Sequence, residues 1–522
     1  MPNHGLDTDS IIAVIGSGAM GAGIAQVAAV AGYRVKLYDT RPEAVAKALA
    51  GIAGMFQKLV DKDRMTGAAA AAAGARLQGA SSLQDVADAA LVVEAIVENL
   101  DAKRTLFVEL EALVADTCIL ATNTSSISVT AIGAALRKPQ RLVGMHFFNP
   151  VPLMALVEVI SGLATDQAVA DTVFATAAAW GKNPVHAKST PGFIVNRVAR
   201  PFYAEALRLL GEQAADPATL DAVMREAGGF RMGPFELMDL IGHDVNFSVT
   251  QSVFNAYFCD PRFTPSVLQQ EMVNAGFLGR KSGRGFYRYG ANAVMPQAHT
   301  EAPQPKPEFV SFSVEPGMAE PLSTHMEAMA ERLSTAGITI TQRKALPGAD
   351  ESEAPAFHCN GAAVFLTDGR SATERARANN HPDTVLFDLV HDYAKATRIA
   401  VACADQCSPA AYQAVIGLLQ GAGFAVSRLD DVPGLAVMRT VAMLANEAAD
   451  VVNQGVCSAQ AVDIAMQKGV NYPRGPLEWA DAIGLQQVVT VLSNLAAAYG
   501  EQRYRVAPLL RRKLSSGASF HA

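Results

Sequence analysis

The stretch HFFNPVPLMALVEVI, residues 146–160, holds one base, His146, and one acid, Glu158, among residues that are otherwise almost all apolar. LVGMHFF reads as a strand that delivers His146 to its C-terminal rim, and ALVEVI as a second strand carrying Glu158 between apolar neighbours. Neighbouring strands joined by NPVPLM would bring the carboxylate to the imidazole. Histidine titrates near about pH 6.5, so it can take and return a proton at neutral pH. A carboxylate on its other ring nitrogen would fix the tautomer and stabilise the imidazolium that forms. A lone buried histidine is more often a satisfied core residue, so the pair gains a chemical meaning only beside a reacting partner.

That partner is signalled at the other end of the chain. In IIAVIGSGAMGAGIAQVAAVAGYRVKLYD, Gly16, Gly18 and Gly21 hold the G-x-G-x-x-G spacing after an apolar strand, open an amphipathic helix, and precede a strand ending in Asp39. In this context the spacing is a dinucleotide fingerprint: a tight turn at Gly16, close backbone approach to the pyrophosphate at Gly18, and helix–sheet packing at Gly21. The helix N-terminus offers free N–H groups to the phosphates. Asp39 would accept from the adenosine ribose and repel a 2′-phosphate, favouring NAD over NADP, a preference that Arg41 weakens. Glu94 lies in the apolar run ALVVEAI and reads as a residue near a strand end, with Glu98 and Lys103 just past it. Asn123, Thr124, Ser125 and Ser126 follow another short strand, either as a helix cap or as hydroxyls for substrate and nicotinamide. Beside a nicotinamide, His146 suits removal of a proton from a secondary alcohol while hydride leaves carbon.

The elements that must position these groups are legible in outline. At 522 residues, half of them apolar, the chain is too long for one core. Residues 1–188 alternate strand-like runs with amphipathic helical patterns, as in a parallel α/β sheet. The strand candidates are IIAVIG, RVKLYD, ALVVEAI, CILAT, LVGMHFF and ALVEVI, and TGAAAAAAGA reads as part of a helical hairpin. Residues 189–290 are helical throughout. Residues 291–308, with prolines at 296, 303, 305 and 307, read as a linker. PGFIVNR at Pro191 returns as PGLAVMR at Pro433, 242 residues later, and Glu205/Glu447, Gly233/Gly475, Asp239/Asp481 and Gly242/Gly484 keep that offset. Residues 431–522 are therefore a second copy of the helical domain. Between the copies, residues 309–430 read as a reduced α/β domain with no glycine-rich loop.

A net charge of −7 without a basic stripe argues against nucleic-acid binding. Six scattered cysteines form neither a disulfide framework nor a zinc site and read as buried free thiols; no metal is expected. The absence of a signal-like N-terminus and of a long apolar run leads to the expectation of a cytoplasmic protein that does not enter a membrane.

Taken together, the Gly16 loop, VVEAIVEN, TNTSS, HFFNPVPLM, LVEVI, TPGFIVNR, GPFELMD and GRKSGRGFY make the first 290 residues resemble the L-3-hydroxyacyl-CoA dehydrogenase family. The resemblance implies an N-terminal Rossmann-type NAD-binding domain, an all-helical domain that supplies dimer contacts, and NAD-dependent, reversible oxidation of an (S)-3-hydroxyacyl-CoA. It makes His146 the base and Glu158 its orienting partner. Ser125 and Asn196 would hold the substrate's 3-oxygen and reactive end, while Glu98, Lys103, Ser125, Asn149 and Lys281 would join Asp39 at NAD. Lys58, with Lys62 and Arg64, would meet CoA phosphates or else form an exposed helix face. The layout resembles long bacterial forms, including those of phenylacetate catabolism that act on 3-hydroxyadipyl-CoA. A short-chain 3-hydroxybutyryl-CoA enzyme, or a hydroxyacid dehydrogenase without CoA dependence, is the alternative. A second carboxylate on the substrate would need a cationic pocket, from Arg231, Arg280 or the second half. In the second copy Met438 replaces Asn196, so that half is expected to be catalytically silent and to act as an internal pseudo-dimer partner, with a homo-oligomer as the other possibility.

Overall fold

The computed structural model describes residues 4–314, 320–344 and 354–521. They form two compact units, one of residues 1–197 with 454–470, the other of 198–453 with 471–522.

The first unit is built on eight strands: β1 (Ile11–Ile15), β2 (Arg34–Tyr38), β3 (Leu77–Gly79), β4 (Leu91–Glu94), β5 (Ile119–Thr122), β6 (Leu142–Phe147), β7 (Leu156–Ser161) and β8 (Asn183–Lys188). Their order is β3-β2-β1-β4-β5-β6-β7-β8. All neighbours run parallel except β6 and β7. β4, β5 and β6 are buried along their whole length, which is why they read as continuous apolar runs. The two strands that escaped the sequence reading, β3 and β8, are the sheet edges. Their segments, LQG and NPVHAK, carry polar or proline residues that an edge tolerates and a central strand does not. The alanine run forms the helix Gly67–Ala75, capped by the Thr66 hydroxyl and packed on the helix Pro42–Val60, the expected hairpin.

The second unit contains a seven-stranded sheet, β9 (Phe309–Val314), β10 (Thr339–Lys344), β11 (Phe357–Cys359), β12 (Ala362–Leu366), β13 (Thr384–Phe387), β14 (Arg398–Cys403) and β15 (Ala425–Arg428), in the order β10-β9-β11-β12-β13-β14-β15. The repeat reaches further back than the helices. β13 and β14 are antiparallel, and β14 and β15 parallel, as β6, β7 and β8 are. The helix Pro409–Gly421 stands 242 residues after Gln167–Ala179.

Two readings gain detail and one needs correction. The proline-rich segment 291–308, read as a linker, holds no helix or strand but is tied down by hydrogen bonds. His299 N donates to Thr219 Oγ1, Glu301 N to the Val426 carbonyl and Gln304 N to Gln420 Oε1, each at 2.8 Å. The second helical copy is not one contiguous body, because residues 454–470 belong to the first unit, where the helix Ala459–Gly469 packs on β7 and β8. Finally, only Cys118 and Cys359 are buried; Cys259 is exposed and Cys403, Cys407 and Cys457 are half-buried.

The exchange of helices is reciprocal. Within the first unit, Lys188 N donates to the Val456 carbonyl at 2.9 Å; within the second, Asp430 N donates to the Ala214 carbonyl at 2.9 Å. The same 242-residue offset relates the two bonds in opposite senses, as in an isologous contact. Arg197 Nη1 to Gln454 Oε1 (2.8 Å) and Arg439 Nη1 to Glu212 Oε2 (3.1 Å) form a second such pair.

Candidate active site

The strand order reverses between β1 and β4, and a ligand crevice opens at such a switch point. There the first unit has a cavity of about 1070 Å³ lined by Gly16, Gly18, Tyr38, Asp39 and the backbone after β4. Gly16 has φ +103°, and a Cβ on it would lie 2.5 Å from the Ala95 carbonyl oxygen. A Cβ on Gly21 would lie 1.8 Å from the Gly16 carbonyl oxygen, whereas one on Gly18 would meet nothing within 4 Å. Two glycines are thus demanded by packing, and Gly18 leaves open backbone at the N-terminus of the helix Ala19–Val30. Asp39 accepts from Ser17 N (2.9 Å), Ser17 Oγ (2.8 Å) and Arg41 N (3.1 Å). Burial opposes its charge, but these bonds and the Arg41 guanidinium outweigh burial and hold the carboxyl below its usual range. A carboxylate at the end of β2, an open helix end and a large cleft together fit a dinucleotide.

Beyond β4 and β5 a carboxylate organises the polar loop. Glu98 Oε1 accepts from Thr124 Oγ1 (2.6 Å), Ser125 N (3.0 Å), Ser126 N (3.1 Å) and Ser126 Oγ (2.9 Å). Burial resists its ionisation, yet the Thr124 hydroxyl, the Lys103 ammonium and the loop donors lower its pKa. The Ser125 hydroxyl stands 3.4 Å from the same oxygen, and Asn196 Nδ2 donates to the Ser125 carbonyl at 3.3 Å. Ser125 and Asn196, 71 residues apart in sequence, are therefore brought together.

Glu94, read as a residue near a strand end, is the last residue of β4 and is also the centre of a buried network. It accepts from Lys103 Nζ, Thr122 Oγ1 and Ile96 N, each at 2.7 Å. Lys103 is only 1% exposed, with Glu98 at 3.3 Å on its other side. A buried ammonium requires counter-charge, so Lys103 braces two carboxylates rather than presenting its charge to the cleft. The signal was present: an acid inside an apolar strand with a lysine nine residues on, in the first turn of the following helix.

His146 and Glu158 are direct partners in the β6–β7 register. An antiparallel pair places opposed side chains on one face, and His146 Nδ1 lies 2.6 Å from Glu158 Oε2. The imidazole is 5% exposed and the carboxylate fully buried. Glu158 Oε1 accepts from Ile194 N (2.9 Å) and Val195 N (3.0 Å), the start of the helix that carries Asn196. One oxygen is thus anchored on backbone while the other holds the ring, and Nε2 makes no hydrogen bond among the described residues. Phe148 and Phe193 pack on the imidazole. Asn123, a candidate for the cleft, accepts from Phe147 N at 2.8 Å and ties β5 to the rim that bears His146.

The second unit preserves this register without its chemistry. Phe387 is paired with Val401, and Asp388 N donates to the Ala400 carbonyl at 2.9 Å. At the 242-residue offset, Asp388 stands for His146 and Ala400 for Glu158. Asp388 is completely buried and accepts from Ala436 N, Val437 N, Met438 N and Leu389 N at 2.7–2.9 Å. Ala436 and Val437 are the counterparts of Ile194 and Val195. The helix-anchoring carboxylate has moved one strand over, into the place of the imidazole, and no imidazole is left there.

The remaining candidates are dispersed. Asn149 is exposed just past β6, and Lys58, Lys62 and Arg64 are exposed at the end of the helix Pro42–Val60 and the turn after it. Lys281 belongs to the second unit, where it pairs with Asp244 at 2.7 Å. Arg231 is exposed, and Arg280 lies over the Tyr289 ring.

Comparison with known proteins matches residues 11–190 to the 3-hydroxyacyl-CoA dehydrogenase NAD binding domain. The C-terminal domain of that family matches twice, at 192–289 and 434–519. Residues 364–433 match the 3-hydroxybutyryl-CoA dehydrogenase reduced Rossmann-fold domain. The chain is 42% identical over 508 residues to 3-hydroxyadipyl-CoA dehydrogenase of Escherichia coli K12, covering 97% of this chain and 98% of that one. It is 44% identical over 276 residues to a probable 3-hydroxybutyryl-CoA dehydrogenase of Deinococcus radiodurans, covering 53% of this chain and 99% of the relative. The crystal structure of a 3-hydroxybutyryl-CoA dehydrogenase from E. coli K12 superposes with TM-score 0.86 at 39% identity, covering 98% of this chain and 100% of that one.

Proposed function

The chain belongs to the 3-hydroxyacyl-CoA dehydrogenase family and is an NAD-dependent enzyme of that class; on that premise we propose that His146 is its general base and Glu158 the residue that positions it. The observation that carries this reading is the 2.6 Å contact of His146 Nδ1 with a carboxylate whose other oxygen is fixed by two backbone N–H groups. Glu158 keeps the Nδ1 proton in place, leaving Nε2 with a lone pair to take the proton of the substrate's 3-hydroxyl. Bound NAD would supply the acceptor for the hydride that leaves the carbon bearing the 3-hydroxyl. The imidazolium formed is stabilised by the buried carboxylate and loses its proton to solvent, or returns it in the reverse direction. Ser125 and Asn196 hold the 3-oxygen. Gly16, Gly18, Gly21 and Asp39 seat the dinucleotide; Glu98 shapes its nicotinamide side with Lys103 behind it, and Asn149 is a further contact. Lys58, with Lys62 and Arg64, meets the CoA phosphates.

The substrate is the (S)-3-hydroxy thioester, and its acyl group is 3-hydroxyadipyl, with a place in aromatic, phenylacetate-type catabolism in the cytoplasm. Likeness to a 3-hydroxyadipyl-CoA dehydrogenase across 97% of the chain supports this. The Deinococcus radiodurans relative and the superposed structure, both named for 3-hydroxybutyryl-CoA, favour that compound as the second reading. Comparing kcat/KM for the two thioesters and for the free 3-hydroxy acids tests it. A preference for the butyryl ester removes the adipyl assignment, and equal use of a free acid removes CoA dependence.

The second half is catalytically silent, and the duplicated helices take the place of a partner subunit. Asp388 and Ala400 at the positions of the base and its carboxylate, and the reciprocal bonds of Lys188 and Asp430, support both statements.

A further inference from the structure

The first helical copy encloses a feature that dehydrogenation does not use. The helices Arg200–Gly211, His243–Ala256 and Val267–Asn274, with Arg503, surround a cavity of about 360 Å³, within the range of small-ligand pockets (roughly 300–1,000 Å³). Arg200 lines it and is only 6% exposed. Its Nη1 donates to Thr250 Oγ1 at 3.0 Å and its guanidinium lies 5.0 Å from the centre of the Tyr203 ring. Its Nε has no hydrogen-bond partner, and no carboxylate pairs with it among the described residues. Arg503 Nε is likewise buried without a partner, and its nearest carboxylate oxygens are 3.9 and 4.0 Å away, on Glu501 and Glu205. Arg208 is committed to Glu501 at 2.7 Å. Glu212 also borders the cavity, but Arg439 Nη1 and the Tyr499 hydroxyl hold it at 3.1 and 2.8 Å. The Arg200 guanidinium is therefore removed from water beside a void without a counter-charge, an arrangement that is unfavourable until an anion supplies one, while Arg503 keeps long ion pairs to Glu205 and Glu501.

The duplication provides an internal control. At the 242-residue offset Arg200, Tyr203 and Thr250 correspond to Ala442, Ala445 and Leu492, all completely buried. The fold packs this position with small and apolar side chains in one copy, so packing does not explain the arginine in the other. The guanidinium fork matches the paired oxygens of a carboxylate or phosphate, while the Thr250 hydroxyl donates to the Asn246 carbonyl and Gln269 Nε2 to Asn246 Oδ1, each at 3.0 Å, so Arg200 is the donor left for a ligand.

We propose that this cavity binds a small oxyanionic metabolite, a carboxylate or a phosphate, through Arg200 and Arg503. The inference does not rest on the dehydrogenase reading. Its test is thermal unfolding of the full chain with inorganic phosphate or adipate, each against chloride of equal ionic strength. Millimolar probe should raise the Tm of the wild type by at least about 2 °C. Arg200→Ala, which installs the residue type of the second copy, should abolish the rise, and Arg200→Lys, which keeps the charge but loses the fork, should weaken the apparent Kd by at least about tenfold. A rise with phosphate alone assigns a phosphorylated ligand, with adipate alone a carboxylate, and with both a general oxyanion site. No rise with either probe overturns the proposal. So does an equal rise in Arg200→Ala, which would place binding elsewhere; should that variant not fold, an unchanged Kd in Arg200→Lys has the same force.

Discussion

Glu158 shows how one side chain can bind two elements to one proton. Its Oε1 is fixed by Ile194 N and Val195 N, so only Oε2 faces the imidazole. In Glu158→Gln the backbone N–H groups keep the amide oxygen, and the amide NH₂ is turned toward His146 Nδ1. The ring must then accept at Nδ1 and carry its proton on Nε2, the wrong tautomer for a base. kcat should fall by about 10²–10⁴-fold with KM for NAD little changed, and the acid limb of the pH–rate profile should move. A loss confined to stability, with kcat and the profile intact, would make Glu158 a structural residue only. Asp39→Ala removes the ribose acceptor and the repulsion of a 2′-phosphate, so the ratio of kcat/KM for NAD over NADP should drop by at least about tenfold. These residues were legible because an ionisable group in an apolar run, or glycines at fixed spacing before a helix, has few other reasons to be there. Glu94 and Lys103 were not seen as a pair, because a strand and a helix meet only after folding.

At the scale of elements, the β6–β7 register makes the site and the β13–β14 register preserves its outline. The sequence offset exposed the helical repeat but not this one, since His146→Asp388 and Glu158→Ala400 share no residue type; only strand pairing reveals that the carboxylate changed strands. Burial raises Asp388 to about 6, against the four backbone donors that lower it. A carboxyl with a raised folded-state pKa contributes stability fully below its unfolded pKa of about 3.9, and that contribution is lost as pH rises through about 6. The loss amounts to about 3 kcal/mol for a shift of about two units. Asp388→Asn cannot accept from all four N–H groups and should be destabilised throughout, but without this pH dependence. The stability gap to wild type, from urea unfolding, should therefore narrow between pH 4.5 and 7.5. A constant or widening gap would contradict a raised pKa at Asp388.

At the scale of the whole chain, the two sequence halves do not coincide with the two compact units. Residues 454–470 complete the first unit, and a Cβ on Gly469 would lie 2.5 Å from Leu156 Cδ2, which shows how closely this helix is applied to β7. Duplication was legible from the 242-residue offset. Which sheet each helix would cover was not, because sequence similarity between copies does not say whether a copy packs on its own sheet or on the other. A chain ending at residue 300 lacks the helix Ala459–Gly469 and leaves apolar β7–β8 surface open, so it should be insoluble or self-associated in sizing with light scattering. A stable, fully active monomer of that length would show that the second half is dispensable. The central claim is that one chain holds one site and that His146 is its base. Measuring NADH formation by His146→Ala with the 3-hydroxyacyl-CoA thioester, alongside NAD binding by fluorescence, tests both parts at once. The account predicts a loss of at least about 10³-fold in kcat with NAD affinity within about twofold of wild type. Turnover within tenfold of wild type would contradict it, because the proton would then be leaving through another residue or another site.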